Sequence, residues 1–291
     1  MEEIPVIFNP AARSARASER VEAIAELSPR IRLCPTAGPG DARRIAHELA
    51  RAGAPTIVAA GGDGTINEVV NGLHDAGPES TTSLGLLPSG TMNVFSVELG
   101  IPTRSLVDCW RVIERGQRRS IDLWELNGHA FMQLAGVGID AEIIRETTWE
   151  SKKALGPLSY VISAAQLLGK QAPLLTIRSP DRDPLEGSVV LVGNGKRYGG
   201  PLKVFAQADN QDGLLDVIVL RSHGYGQIFS ALFSLFLSGD GRHSKEMEYF
   251  QTRELVIESD QEIPVEADGE LIPTPMPIVF RKAEKKLTVL V

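Results

Sequence analysis

Gly61, Gly62 and Gly64 bracket Asp63 and are followed at once by Thr65. They close the apolar run Thr56 to Ala60 and open a segment with helical spacing that begins at Thr65. A turn without side chains at a helix start presents bare amides, and the helix dipole adds positive potential there. A nucleotide phosphate is the anion this pattern suggests. Asp63 sharpens the reading. A carboxylate beside a phosphate repels it unless a cation or a donor intervenes, which points to Mg²⁺ or a ribose hydroxyl. The bland alternative is a tight strand-to-helix turn with no ligand. Thr65 and Glu68 stand at capping-box spacing, so they are predicted to close the helix start reciprocally.

Other carboxylates have local readings of their own. The Asp-Gly pairs at 212–213 and 268–269 are common turn dipeptides. Mg²⁺ takes oxygen ligands and keeps several waters, so Asp63 and Asp122 are predicted to hold a metal or its waters. The alternative for Asp122 is a capped strand end. His47, His74, His129, His223 and His243 form no ligand-spaced pair. Two nucleotide motifs fail. The pattern G-x-x-x-x-G-K-[ST] is absent. Gly136 to Ala141 formally satisfies G-x-G-x-x-A, but no strand–helix–strand unit follows it.

The elements that must position these residues fall into two textures. Up to about residue 120, short apolar strands alternate with helices: Ile4 to Phe8, a helix over 18–27, Ile31 to Cys34, a helix from Asp41 to Ala52, Thr56 to Ala60, a helix from Thr65, and Leu84 to Leu87. Alternation of this kind predicts a parallel sheet covered by helices. Beyond Ile121 the strands dominate: Leu123 to Leu126, Ala130 to Leu134, Leu174 to Ile177, Ser188 to Val192, Leu214 to Leu220, Glu254 to Ile257 and Ile278 to Phe280. Two helical insertions are predicted, over 155–169 and 226–237. The second is apolar enough either to be buried or to face a bilayer. The expected division is an α/β domain over 1–122 and a β-rich domain over 123–291.

Composition bounds the partners. The 291 residues carry a formal net charge of -7, so a nucleic-acid partner is not expected. Cys34 and Cys109, the two cysteines, give neither a disulfide framework nor a four-cysteine zinc site, and a reduced compartment fits. The N-terminus begins acidic and reads as a strand rather than a signal peptide. No stretch of about 18 apolar residues occurs. The paired Lys152 and Lys153 read as a solvated face or a contact for anionic headgroups.

The segment GGDGTINEVVNGL at 61–73 resembles the signature of the diacylglycerol kinase catalytic-domain family, which also includes sphingosine kinases and is distantly similar to NAD kinases. FNPAARSAR at 8–16, LGLLPSGTMNVFSVELGIP at 84–102, SIDL at 120–123, GNGKRYGGPLKVFAQADNQDGLLDVIVL at 193–220 and VEADGEL at 265–271 are similar to further blocks of that family, in family order. The resemblance implies a two-domain kinase: a Rossmann-like sheet that binds ATP, and a β-sandwich that carries the lipid site. It implies nucleotide contacts at Asn9, Arg13, Thr36, Gly62, Asp63, Gly64, Thr65, Glu68 and Thr91, with Gly61 and Asn67 in the same turn and helix. It implies a general base at Asp268. It also implies a Mg²⁺ site at Asp212 with the main-chain carbonyls of Asp209 and Leu214. Two departures stand out. Val94 occupies a position where the family often has Asp, and Ala12-Arg13 replaces the usual Ser-Gly. The expected activity is phosphorylation of a membrane lipid hydroxyl, diacylglycerol first, by a cytoplasmic protein that visits the inner face of the membrane. Other lipid kinases, an NAD kinase-like enzyme and a non-catalytic binding protein are the alternatives, and a homodimer stays open.

Overall fold

A computed structural model describes residues 2–10, 17–138, 172–198, 202–238 and 246–291. Arg13, Lys152, Lys153, His243, the end of the Gly136 motif and the helix expected over 155–169 lie outside the described residues.

The first sheet grows from strands that are apolar without interruption. β1 (Ile4–Phe8), β3 (Thr56–Gly61) and β4 (Ser83–Pro88) are buried along nearly their whole length. That pattern belongs to parallel strands covered on both faces. With β2 (Ile31–Pro35) they pair in parallel, in the order β2-β1-β3-β4. The covering helices are α1 (Ala17–Ala25), α2 (Asp41–Arg51), α3 (Asp63–Asp75), α4 (Val94–Glu98) and α5 (Leu106–Arg115). α2 turns Ala42, Ala46 and Ala50 inward, and these small residues let α3 approach closely. A Cβ at Gly72 of α3 would lie 2.2 Å from the Arg43 carbonyl oxygen of α2. α4 and α5 are not among the elements expected from the sequence. α4 is only five residues long. α5 does carry its stop and start signals: the Ser105 hydroxyl accepts from Asp108 N, and Gly116 takes the left-handed C-terminal conformation.

The second unit is an antiparallel sandwich. One sheet has the order β10-β9-β16-β19-β6-β7, the other β15-β14-β11-β8-β17-β18. Their ranges are β6 (Trp124–Leu126), β7 (His129–Phe131), β8 (Leu134–Val137), β9 (Leu175–Ser179), β10 (Arg182–Gly187), β11 (Val189–Gly193), β14 (Leu215–Leu220), β15 (Met247–Thr252), β16 (Leu255–Glu258), β17 (Val265–Ala267), β18 (Glu270–Leu271) and β19 (Ile278–Lys282). A separate hairpin joins β12 (Arg197–Tyr198) to β13 (Leu202–Lys203). Trp124, Phe131, Val190, Val217, Leu255 and Phe280 fill the space between the sheets, with Phe131 edge-on to Phe280. The apolar helix α6 (Tyr225–Ser238) covers the outer face of the second sheet. Ile228, Ala231 and Leu235 are buried there beside Leu191, Ile218 and Leu220. This face of the helix is buried, and Phe229 and Leu232 are partly buried against the same core. No described helix is long and apolar enough to cross a membrane.

Two departures matter for the site. The strand expected over Ala130 to Leu134 is two strands in two different sheets, β7 and β8. The chain crosses between sheets at Met132 and Gln133, and this frees their amides from any ladder. Against the expected division at residue 122, the last strand crosses back. β20 (Leu287–Leu290) inserts into the first sheet, parallel to β4 and antiparallel to β5 (Arg118–Ile121). Its Leu287, Val289 and Leu290 belong to the first core, so burial across the sheet, which local pattern does not encode, decides the partner.

Leu287 is 4 % exposed in that slot. Leu287→Ala should lower the unfolding free energy by about 2–5 kcal/mol, read by urea denaturation; an unchanged midpoint would contradict the strand's role.

Candidate active site

β1 to β4 run in the same direction, so the residues after their carboxyl ends share one edge. Asn9 follows β1, Thr36 follows β2, Gly61 ends β3 and Thr91 follows β4. The order reverses between β1 and β3, and a ligand crevice is expected outside the strand ends at such a point. Asn9 and Thr91 are exposed there, whereas Thr36 is buried and its N–H donates to the Phe8 carbonyl.

The glycine turn is shaped by two close approaches. A Cβ on Gly61 would lie 2.5 Å from the Thr65 Cβ, so the bare α-carbon lets Thr65 fold back over the strand end. A Cβ on Gly90 would lie 2.8 Å from the Gly62 Cα, so the loop after β4 rests directly on the turn. Asn93 secures that loop: it takes φ 47, accepts from Gly90 N and donates to Gly90 O. α3 starts at Asp63 with Gly62 as its N-cap. Its first intrahelical bond runs from Ile66 N to Gly62 O. The amides of Gly64 and Thr65 donate to no described residue, as a helix start leaves them.

The capping box expected from Thr65 and Glu68 does not form; Gly62 caps without a side-chain bond. The Glu68 carboxylate instead accepts from Gly40 N and Ala42 N, both at 3.0 Å, and so caps α2. A tertiary partner with two free amides outcompetes the local one. Asp63 faces the amides of Asn93, Val94 and Phe95 at the start of α4. These pull its pKa down, but burial is the larger effect and pushes it up. Its Oδ1 is buried without a hydrogen bond.

Asp268 comes from the opposite unit and meets the same helix. It sits with Gly269 between β17 and β18, at φ 50 and φ 87, the left-handed pair of a two-residue hairpin. Its Oδ1 accepts from Gln133 N and Leu134 N, at 3.0 and 3.1 Å. Its Oδ2 accepts from Met132 N at 2.9 Å and from the Asn67 side-chain amide at 3.1 Å. The three main-chain donors are those freed where the chain changes sheets. Burial pushes the Asp268 carboxyl up, and the four donors oppose it.

Asn67, expected among the nucleotide contacts, is 2 % exposed and spends its amide on protein. Its Oδ1 accepts from Asn71, whose side chain also donates to Ala130 O and accepts from Ala130 N. Glu270, across the two-residue turn from Ala267, reaches the same helix start: its Oε1 lies 2.7 Å from where a Gly64 Cβ would be. Burial, then Glu68, then Asp268, push the Glu270 carboxyl up. Glu270, Glu68 and Asp268 therefore repel one another at this helix start.

The other expected metal residues lie elsewhere. Asp122 Oδ1 is ion-paired to Lys282 Nζ at 2.7 Å and Lys286 Nζ at 3.0 Å, and Oδ2 accepts from Gly213 N. The two lysines neutralise it, and the Gly213 bond ties it to the 209–214 loop. Asp209 Oδ1 accepts from Gln211 N, and its carbonyl accepts from Asp212 N. Asp212 Oδ1 accepts from Leu214 N. Among the described residues no three His, Cys, Asp or Glu side chains are grouped to hold a metal.

The chain is similar to known proteins along its length. A family model described as the diacylglycerol kinase catalytic domain matches residues 3–126. One described as the YegS C-terminal NAD kinase β-sandwich-like domain matches residues 134–291. The diacylglycerol kinase of Bacillus subtilis is 30% identical over 233 residues, covering 79% of this chain and 76% of that protein. A Chromohalobacter salexigens protein named "Probable lipid kinase YegS-like" is 32% identical over 239 residues, covering 79% and 74%. The crystal structure of a diacylglycerol kinase from Bacillus anthracis superposes with a TM-score of 0.79 at 26% identity, covering 99% of this chain and 96% of that one.

The Asn71 bridge ties α3 to β7 beneath Asp268. Asn71→Ala would leave the buried Ala130 N–H and C=O unpaired. It should cost at least about 2 kcal/mol of stability in chemical denaturation; a loss near zero would contradict the bridge.

Proposed function

This chain belongs to the diacylglycerol kinase catalytic-domain family of lipid kinases, and on that footing we propose that it transfers the γ-phosphoryl group of ATP to the free hydroxyl of diacylglycerol. The observation that carries the reading is the Asp268 carboxylate, held by four donors against the same helix whose free amides suit a phosphate.

The triphosphate docks on the amides of Gly64 and Thr65, with Gly61, Gly62 and Thr91 lining its approach and Asn9 and Thr36 at the neighbouring strand ends. Phosphoryl transfer asks mainly for positioning and charge neutralisation. Mg²⁺ carried with the nucleotide would supply neutralisation, and Asp63 and Glu270 are the carboxylates that would hold its waters. The lipid hydroxyl attacks the γ-phosphorus, its O–P bond forms as the bond to the bridging β,γ-oxygen breaks, and ADP leaves. The hydroxyl proton passes to Asp268.

A carboxylate offers about four acceptor positions, and all are taken. The incoming hydroxyl therefore displaces one donor. Three are main-chain amides locked in the sheet crossing, so the side-chain amide of Asn67 yields. Asn67 holds the base in place until substrate replaces it. A lipid substrate requires the protein to work at a membrane surface, at the inner face for a cytoplasmic protein.

Purified protein with Mg-ATP and mixed micelles should phosphorylate diacylglycerol in preference to sphingosine, ceramide, phosphatidylglycerol and NAD. Asp268→Asn should lower kcat by about 10²–10⁴-fold with nucleotide affinity unchanged. Full turnover in that variant would end the assignment of the base.

The base must be ionised to accept a proton, and burial raises its pKa. Activity should therefore rise with pH through a midpoint above the usual carboxylate value of about 3.9. Asn67→Ala removes a donor that favours the anion, so its midpoint should move to higher pH. A midpoint that stays or falls would contradict the placeholder role.

A further inference from the structure

A second polar cleft lies at the far end of α4, between the edge strand β5, the β12–β13 hairpin and the loop that carries Asp209 to Gln211. Arg119, Lys196, Arg197 and Lys203 line it, against Glu98 and Asp209 as the acidic residues. None of these is a residue of the glycine turn or of the Asp268 hairpin. In a chain whose formal net charge is -7, four cations facing two carboxylates is a local inversion of sign.

The carboxylates do not balance the cations. Glu98 already accepts from Lys196 N at 3.0 Å and lies 3.6 Å from Arg197 Nε. Asp209 already takes the Gln211 amide on Oδ1. No described carboxylate is ion-paired to Arg119, Lys196 or Lys203. Arg119 is steered inward by a bond from its guanidinium to the Leu99 carbonyl, at 3.5 Å. Behind the same loop, Lys282 and Lys286 share Asp122, so positive charge flanks it on both sides. Like charges held together raise the local potential, and a compact anion relieves it. The cleft volume is about 300 Å³, at the small end of ligand sites, which suits a headgroup rather than a nucleotide.

We propose that this cleft binds a phosphomonoester dianion, with Lys196, Lys203 and Arg119 as its charged donors and Asn210 and Gln211 as neutral lining. The chemistry is shared by a free phosphate ester and by the headgroup of a phosphorylated lipid. The site spans α4, β5 and the hairpin, so its occupant bridges the first sheet and the sandwich.

Titration calorimetry of the nucleotide-free protein tests this at constant ionic strength. The soluble probes are inorganic phosphate and glycerol 3-phosphate. The surface probe is phosphatidylcholine vesicles carrying phosphatidic acid, compared with phosphatidylglycerol vesicles of equal charge. The soluble probes should bind above a chloride reference, or the phosphatidic acid vesicles above the phosphatidylglycerol vesicles. Lys196→Ala/Lys203→Ala should weaken that binding at least about tenfold, as loss of two charge-assisted contacts implies. ATP affinity should stay unchanged. Soluble binding alone assigns a free ester, vesicle binding alone a lipid headgroup, and both together either source. The proposal falls if no probe exceeds its reference, or if the double variant binds as the parent does, since the phosphate would then sit on the glycine turn. Either result leaves the kinase reading untouched.

Discussion

The carboxylate of Asp268 accepts from three consecutive main-chain amides and one side-chain amide, and the rest of the molecule is arranged so that this is possible. Consecutive amides can converge on one residue only where the backbone leaves a regular ladder. The crossing from β7 to β8 is such a place. The partner must also be backed into it by a turn with positive φ at the aspartate itself, and the hairpin at 268–269 supplies that. A strand running straight through 130–134 would direct those amides to neighbouring strands and leave the carboxylate without its donors.

The same interaction fastens the two units. Asn67 and Asn71, one turn apart on α3, carry the bond from Asp268 through to β7. The helix that opens at the glycine turn and the carboxylate are thus joined by one buried polar network. The return of β20 to the first sheet adds a second covalent crossing between the units. Asp122 adds a third tie, holding the 209–214 loop and the two lysines before that last strand. Buried polar groups that are fully satisfied rigidify a site, and partly satisfied ones destabilise it, so the network has little tolerance for loss of a member.

Much of this was legible in the residues. Uninterrupted apolar runs marked the parallel strands, the glycine turn marked the helix start, and the Asp-Gly pair at 268 marked a hairpin. The misreadings share one cause, which is that a local signal was overruled by a distant partner. Glu68 has capping-box spacing but finds two free amides on α2. Ala130 to Leu134 is apolar apart from Gln133, and nothing in that run reveals a change of sheet. Asp122 carries no local sign of its partners Lys282 and Lys286, which lie far along the chain. The β20 slot was not legible because a short apolar strand does not encode its neighbours.

Electrostatics orders what remains. Acidic groups collect at the start of α3, where a helix dipole and an incoming triphosphate meet, and basic groups collect at the other end of α4. In the proposed reaction a lipid hydroxyl and a γ-phosphate meet at Asp268. A crystal structure with a non-hydrolysable ATP analogue and a short-chain diacylglycerol tests it most directly. The γ-phosphate should lie on the amides of Gly64 and Thr65 and the lipid hydroxyl within about 2.6–3.2 Å of an Asp268 oxygen, with Asn67 displaced. A hydroxyl bound beyond reach of Asp268 while Asn67 keeps its bond would contradict it.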